Sequence, residues 1–79
     1  MVANRPLFIV DASVILKWFL FEPDSQEQSL HLRRDYFERK VELAVLNYTY
    51  AEILNTLGRI LPQEKALSAF SQLLMYQLQ

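Results

Sequence analysis

The chain has 79 residues, of which 52% are hydrophobic and 13% aromatic, so residues 1–79 have room for one small domain and are too apolar to be intrinsically disordered. Eight basic and nine acidic residues give a formal net charge of -1, which excludes a strong general attraction to nucleic acids or membranes. Cysteine is absent, which excludes a disulfide framework and a thiolate metal site and favours a cytoplasmic location.

Four consecutive apolar residues, Leu7–Val10, predict the first strand. An uninterrupted apolar run is typical of a strand buried on both faces, as in a parallel sheet. Asp11 follows directly, and the next apolar run predicts a helix from about Ser13 to Phe21, with Ser13 as its N-cap. The whole stretch is too short to span a bilayer, so we expect no membrane partner.

A turn around Pro23 ends this helix, and a second helix follows it. Asp24 and Glu27 have the spacing of a capping box, with aspartate in the hydroxyl position, and predict a helix that extends to about Arg39. This helix is mostly polar, which indicates a solvated face. The apolar run Val41–Leu46 then predicts the second strand.

Two apolar helices complete the chain. The first begins between Asn47 and Thr49 and extends to about Leu61, Pro62 favours a new helix start, and the second covers about Gln63–Leu78. We expect them to form a helical hairpin. The order of elements predicts an α/β fold with a right-handed parallel crossover. Because two parallel strands alone are poorly covered, we also expect exposed apolar surface and a homodimer or larger oligomer.

Asp11 is the first candidate functional residue, because ligands bind at the carboxyl ends of the strands in open α/β sheets. One interpretation is structural, in which its carboxylate accepts hydrogen bonds from amides at the next helix start. The other is chemical, in which it binds a hard divalent cation such as Mg²⁺ or Mn²⁺, since these prefer oxygen ligands. Besides capping the helix, Ser13 could hold Asp11 or a metal-bound water in place.

Glu52 is the second candidate and also has two interpretations. Thr49 and Glu52 have the spacing of a capping box, in which the glutamate reaches back to the cap amide. Neighbouring parallel strands, however, end on the same edge of a sheet, so Glu52 could approach Asp11 and share a metal ion with it. Asn55 lies one helical turn after Glu52 and either steadies it or faces solvent.

Two segments resemble a known protein family. The segment FIVDASVILKWFL, residues 8–20, resembles the opening of PIN-domain proteins, particularly the VapC-type toxins of toxin–antitoxin systems. The segment YAEILNTL, residues 50–57, resembles the second acidic motif of the family, a glutamate followed three residues later by asparagine. The spacing of the two motifs agrees with the family, and the resemblance covers the chain from about Leu7 to its end.

This resemblance implies a PIN-like parallel sheet with flanking helices and a metal-dependent endoribonuclease. It assigns Asp11 and Glu52 as catalytic ligands of Mg²⁺ (or Mn²⁺) and Ser13 as the accompanying hydroxyl. In the family, the metal ion activates a water molecule for attack on an RNA phosphodiester bond. The partners implied are an RNA substrate, an antitoxin protein and a second copy of the chain.

The sequence departs from the family pattern in two respects. Asn47 stands where many relatives carry proline, and the later aspartates of the family have no counterpart here. We therefore expect the chain to represent the amino-terminal part of one PIN-like domain, with the order β-α-α-β-α-α and with weak or no ribonuclease activity. The alternative is a non-catalytic interaction module for an antitoxin or a homologous PIN subunit.

Overall fold

The computed structural model describes residues 5–20 and 26–78. This part of the chain is a mixed α/β structure with the predicted order of elements, β1 (Leu7–Ile9), α1 (Ala12–Phe19), α2 (Gln26–Phe37), β2 (Glu42–Ala44), α3 (Asn47–Ile60) and α4 (Gln63–Met75). The strands and most helices are shorter than predicted. α1 ends at Phe19, with Leu20 as its C-cap, and not at the predicted Phe21. The turn predicted at Pro23 and the cap predicted at Asp24 lie outside the described residues.

The two strands pair in parallel, as predicted, with Leu7 opposite Glu42. Two further hydrogen bonds extend the ladder at its ends. The N–H of Glu42 donates to the carbonyl of Pro6 at 2.8 Å, and the N–H of Val10 donates to the carbonyl of Ala44 at 3.0 Å. Because the strands run in the same direction, the segments that follow them, Asp11 and the start of α3, leave the sheet at the same edge.

The prediction that β1 is buried on both faces is wrong. Leu7, Phe8 and Ile9 remain 55%, 46% and 67% exposed, whereas Leu43 of β2 is fully buried. The helices therefore cover β2 and leave β1 open on both faces. In the described part of the chain, β2 is the only strand that pairs with β1, which makes β1 an edge strand. A continuous apolar run does not reveal which strand of a sheet will receive the helical cover.

The N-cap of α1 is Asp11 and not Ser13. Asp11 has an extended backbone (φ -97°, ψ 176°), and its side chain accepts a hydrogen bond from the N–H of Val14. Ser13 lies inside the first helical turn. Aspartate is at least as good an N-cap as serine, so the earlier of the two residues takes this position.

The predicted capping box at Thr49 and Glu52 is also wrong. The N-cap of α3 is Leu46, which makes no side-chain capping hydrogen bond. Thr49 therefore lies within the first turn of α3, where it is buried. Glu52 is one turn further into the helix than an N3 residue would be, so its carboxylate does not satisfy the amides at the start of α3.

The core lies where α1, α3 and α4 meet β2. α1 packs against α2 and α3, and α3 packs against α4 across a connection of two residues, Leu61 and Pro62. The buried apolar side chains belong to β2, to residues directly next to the two strands, and to α1, α3 and α4. They are Val10, Ala12, Ile15, Trp18, Val41, Leu43, Val45, Ile53, Leu57, Ala66 and Leu73.

Side-chain hydrogen bonds of Gln26, Trp18 and Tyr36 attach α2 to the rest of the molecule. The side-chain amide of Gln26 donates to the carbonyls of Lys17 and Leu20, each at 3.1 Å. The indole N–H of Trp18 donates to the buried carbonyl of Ser29 at 2.8 Å. The hydroxyl of Tyr36 contacts the carbonyls of Tyr76 at 2.8 Å and Gln77 at 3.1 Å, just after α4. These bonds fix α2 against α1 on one side and against the end of α4 on the other.

Candidate metal centre

The carboxylate of Asp11 is exposed and held in one orientation at the carboxyl end of β1. The hydroxyl of Ser13 donates to Oδ1 of Asp11 at 2.7 Å, and the N–H of Val14 donates to the same oxygen at 3.2 Å. A carboxylate offers about four lone-pair sites on its two oxygens, so these two bonds do not exhaust its capacity to accept. Asp11 can therefore cap α1 and still bind a ligand from solvent.

The same contacts favour the ionised form of Asp11. The hydrogen bond from the Ser13 hydroxyl is the largest cause that lowers the pKa of Asp11, followed by the bond from the Val14 amide; the Ser13 amide and the charge of Lys17 add to the effect. Slight burial opposes them but does not reverse the direction. Asp11 is thus an anion at neutral pH, which is the form that binds a metal cation.

Glu52 and Asn55 lie three residues apart on α3 and are both exposed, so they occupy neighbouring positions on one side of the helix. Within residues 5–20 and 26–78, no hydrogen bond or ion pair joins Glu52 to another side chain. Its carboxylate is therefore open to solvent and free of the capping role that the sequence suggested for it.

The structure brings Asp11 and Ser13 into direct contact, and it places Asp11 and Glu52 after neighbouring parallel strands. α1 and α3, which follow those strands, pack against each other. Among the described residues there is no group of three or more histidine, cysteine, aspartate or glutamate side chains arranged to hold a metal ion.

The exposed carboxylates of Asp11 and Glu52 are of the type that a hard divalent cation takes as ligands. Mg²⁺ takes oxygen ligands, is often bound through one or two carboxylates, and keeps several of its waters. Asp11 and Glu52 supply such ligands, and both are exposed, so waters could fill the remaining positions. The set does not fit Zn²⁺, since structural and catalytic zinc sites use three or four protein ligands, mostly nitrogen and sulfur.

Lys17 is a charged residue whose effect on the site the sequence did not reveal. Its ammonium group lies close enough to Asp11 to lower the pKa of that carboxyl. The available signal was its position in the helix that Asp11 caps, six residues further along the chain. Spacing alone could not separate this role from that of a solvated lysine.

Comparisons with protein-family models, with curated proteins and with solved structures give no significant match for this chain. No helix in the described part of the chain is long and apolar enough to cross a membrane.

Proposed function

We propose that this chain is a PIN-like domain or part of one, and that it acts in the cytoplasm as a metal-dependent endoribonuclease of low activity, similar to the VapC-type toxins. The observation that carries the proposal is the oriented, ionised carboxylate of Asp11 at the end of β1. Glu52 supports it, because it is exposed on the helix that follows the neighbouring parallel strand. The PIN-like motifs coincide with these two positions.

Each residue has a distinct role in this proposal. Asp11 and Glu52 would bind Mg²⁺ or Mn²⁺, and Ser13 would keep Asp11 ionised and correctly oriented. Asn55 would steady Glu52 from one turn away. When bound, the ion would supply an activated water and positive charge for hydrolysis of an RNA phosphodiester bond. With two carboxylates, we expect weak metal binding and slow cleavage.

Metal binding can be tested separately from catalysis. Mn²⁺ added to the full chain should broaden the NMR signals of residues near Asp11 and Glu52, because it is paramagnetic. Asp11→Asn and Glu52→Gln should each abolish this local broadening, whereas Glu64→Gln should leave it unchanged, since Glu64 lies in the first turn of α4. Broadening that persists in Asp11→Asn would refute the proposed site.

RNA cleavage is the second readout. The full chain should cleave single-stranded RNA slowly in Mn²⁺, should lose this activity with EDTA, and should lose it in Asp11→Asn but not in Glu64→Gln. Cleavage that survives Asp11→Asn would indicate a contaminating nuclease or another site. Metal binding without cleavage would retain the site but contradict the ribonuclease assignment.

A non-catalytic interaction module is the second candidate, and the exposed apolar strand β1 favours it. Such a module would bind an antitoxin or a homologous PIN subunit through apolar surface. It predicts no cleavage of RNA at saturating Mn²⁺ and binding of a hydrophobic dye that decreases in Phe8→Ser. A chain that cleaves RNA and does not bind the dye would contradict this candidate.

A further inference from the structure

An open cleft runs along α2. Its volume is about 850 Å³, which lies within the range of small-molecule sites, about 300–1,000 Å³. Its lining combines apolar, aromatic and charged side chains at three- and four-residue intervals, so they share one face of the helix. They include Glu27, Leu30, His31, Arg33, Arg34 and Phe37.

The cleft has a positive end. Neither Arg33 nor Arg34 forms an ion pair with a carboxylate of residues 5–20 and 26–78. The neighbouring carboxylate of Asp35 lies 3.4 Å from His31 instead. Glu27 lines the other end of the cleft, about 10 Å from Arg34 along the helix axis. The two guanidinium groups are therefore available to an anion from solvent.

Arg34 is exposed but held in one orientation. One of its terminal nitrogens lies 2.6 Å from Nδ1 of His31, and the arginine must be the donor, because a guanidinium has no acceptor. This bond uses one of its five N–H donors. The remaining donors can form the paired bonds with which arginine binds phosphate oxygens.

Phe37 gives the same end of the cleft an aromatic surface. The side chain is 50% exposed, yet its ring is fixed, because it packs edge-on against Tyr76 with ring centroids 4.9 Å apart. The guanidinium carbon of Arg33 lies 6.0 Å from the Phe37 centroid, the outer limit of a cation–π contact. A fixed, exposed ring beside a cation is a surface on which a flat aromatic base can stack.

We propose that this cleft binds a free nucleotide, with the phosphate on Arg33 and Arg34 and the base on Phe37. The arginines precede Phe37 by four and three residues, so about one helical turn, 5.4 Å, separates the two contacts. A sugar that joins base to phosphate bridges such a distance. Leu30, which is partly buried, supplies an apolar floor next to both contacts.

The charge distribution favours a single nucleotide over a nucleic acid chain. The protein has a net charge of -1, and the cleft has one acidic end at Glu27. Beyond Phe37 the charges are of mixed sign, with Glu38 at 3.2 Å from Lys40. A polynucleotide needs a positive groove that follows several phosphates, whereas one phosphate needs only the two adjacent arginines.

NMR titration of the unmodified full chain in EDTA tests the site. Adenosine monophosphate (AMP) should shift the amide signals of α2 between Leu30 and Phe37, and it should bind more tightly than adenosine or inorganic phosphate. Absence of these shifts at millimolar AMP would overturn the proposal, as would phosphate that binds as tightly as AMP. Because neither Asp11 nor Glu52 lines the cleft, the proposal does not rest on the ribonuclease assignment. A chain that binds AMP but cleaves no RNA would keep this site and lose that function.

Two substitutions assign the contacts separately. Arg34→Gln should weaken AMP and phosphate about tenfold or more, as expected for one charge-assisted hydrogen bond, and should leave adenosine unchanged. Phe37→Leu should weaken AMP and adenosine about fivefold or more through the loss of stacking, and should leave phosphate unchanged. Arg59→Gln, which alters an exposed arginine of α3, should change none of the three. Any exchange of these effects between adenosine and phosphate would contradict the assigned contacts.

Two further measurements complete the test. Since Phe37 packs against Tyr76, Phe37→Tyr serves as the variant that keeps the ring. It should retain both the far-UV circular dichroism and the AMP affinity of the unmodified chain, and loss of AMP binding in a folded Phe37→Tyr would overturn the stacking role. A single-stranded oligoadenylate that binds more tightly than AMP per nucleotide would overturn the choice of a free nucleotide.

Discussion

Replacing Asp11 by asparagine and by alanine should separate its two roles. The Asp11 side chain accepts a hydrogen bond from the Val14 amide at 3.2 Å as the N-cap of α1. Removing such a cap costs about 1 kcal/mol, which corresponds to a decrease in Tm of roughly 4–8 °C for a domain of this size. Asparagine caps helices about as well as aspartate, so Asp11→Asn should lose only a few tenths of a kcal/mol. Both variants should lose metal binding, because neither supplies a carboxylate.

The assay is urea unfolding monitored by circular dichroism, together with Mn²⁺ titration of each variant under folding conditions. The expected order of stability is unmodified chain, Asp11→Asn and then Asp11→Ala, with the larger step between the two variants. If Asp11→Asn is as unstable as Asp11→Ala, the charge of Asp11 and not its capping bond stabilises α1. If Asp11→Asn still binds Mn²⁺, Asp11 is not a metal ligand.

Three further outcomes are expected. The pKa of Asp11 is lowered in the fold, so its contribution to stability is fully present above the unfolded pKa of about 3.9 and is lost as the pH falls through the folded value. Ser13→Ala should raise the folded pKa of Asp11, and NMR titration of its carboxyl carbon measures this. Trp18→Phe should cost about 0.5–1.5 kcal/mol in urea unfolding through the loss of one hydrogen bond, because it removes the indole donor to the buried carbonyl of Ser29. An unchanged midpoint would contradict this. Tyr36→Phe should accelerate hydrogen exchange at the end of α4, where its hydroxyl binds two carbonyls, and unchanged exchange there would contradict the assigned role.

Much of the fold could be predicted from the sequence because its periodic patterns are strong. The apolar stripes of α3 and α4, interrupted only at Pro62, give those helices almost the observed limits. In β2, alternate residues from Val41 to Val45 are buried, which is the pattern of a strand with one covered face. The parallel pairing followed from the order of elements, in which helices separate the two strands.

Local capping was harder to predict, because several residues competed for each cap. Asp11 and Ser13 are both good N-caps, and the choice depends on where the chain leaves the sheet. At α3, the N-cap is Leu46, which has no polar side chain, whereas Thr49, three residues later, carries the sequence signature of a cap without being one. A capping motif indicates that a helix starts nearby, but it does not determine at which residue.

The candidate site could be predicted from the sequence only in part. The sequence predicts Asp11 and Glu52 as candidate residues and a parallel strand order that places both at one edge of the sheet, and the parallel pairing is confirmed. It could not show that Ser13 binds Asp11 at 2.7 Å or that Lys17 acts on its pKa. Those effects depend on side-chain positions set by α1, which spacing along the chain does not determine.

The hydrogen bond between Tyr36 and Tyr76 also has a consequence for the order of folding. It joins residues 40 positions apart, and closing a loop of that length costs about 3 kcal/mol of chain entropy. β2, α3 and α4 lie within this loop, so they must already be compact before the bond can form at acceptable cost. We therefore expect the end of α4 to dock late during folding and to open first when the native structure loosens.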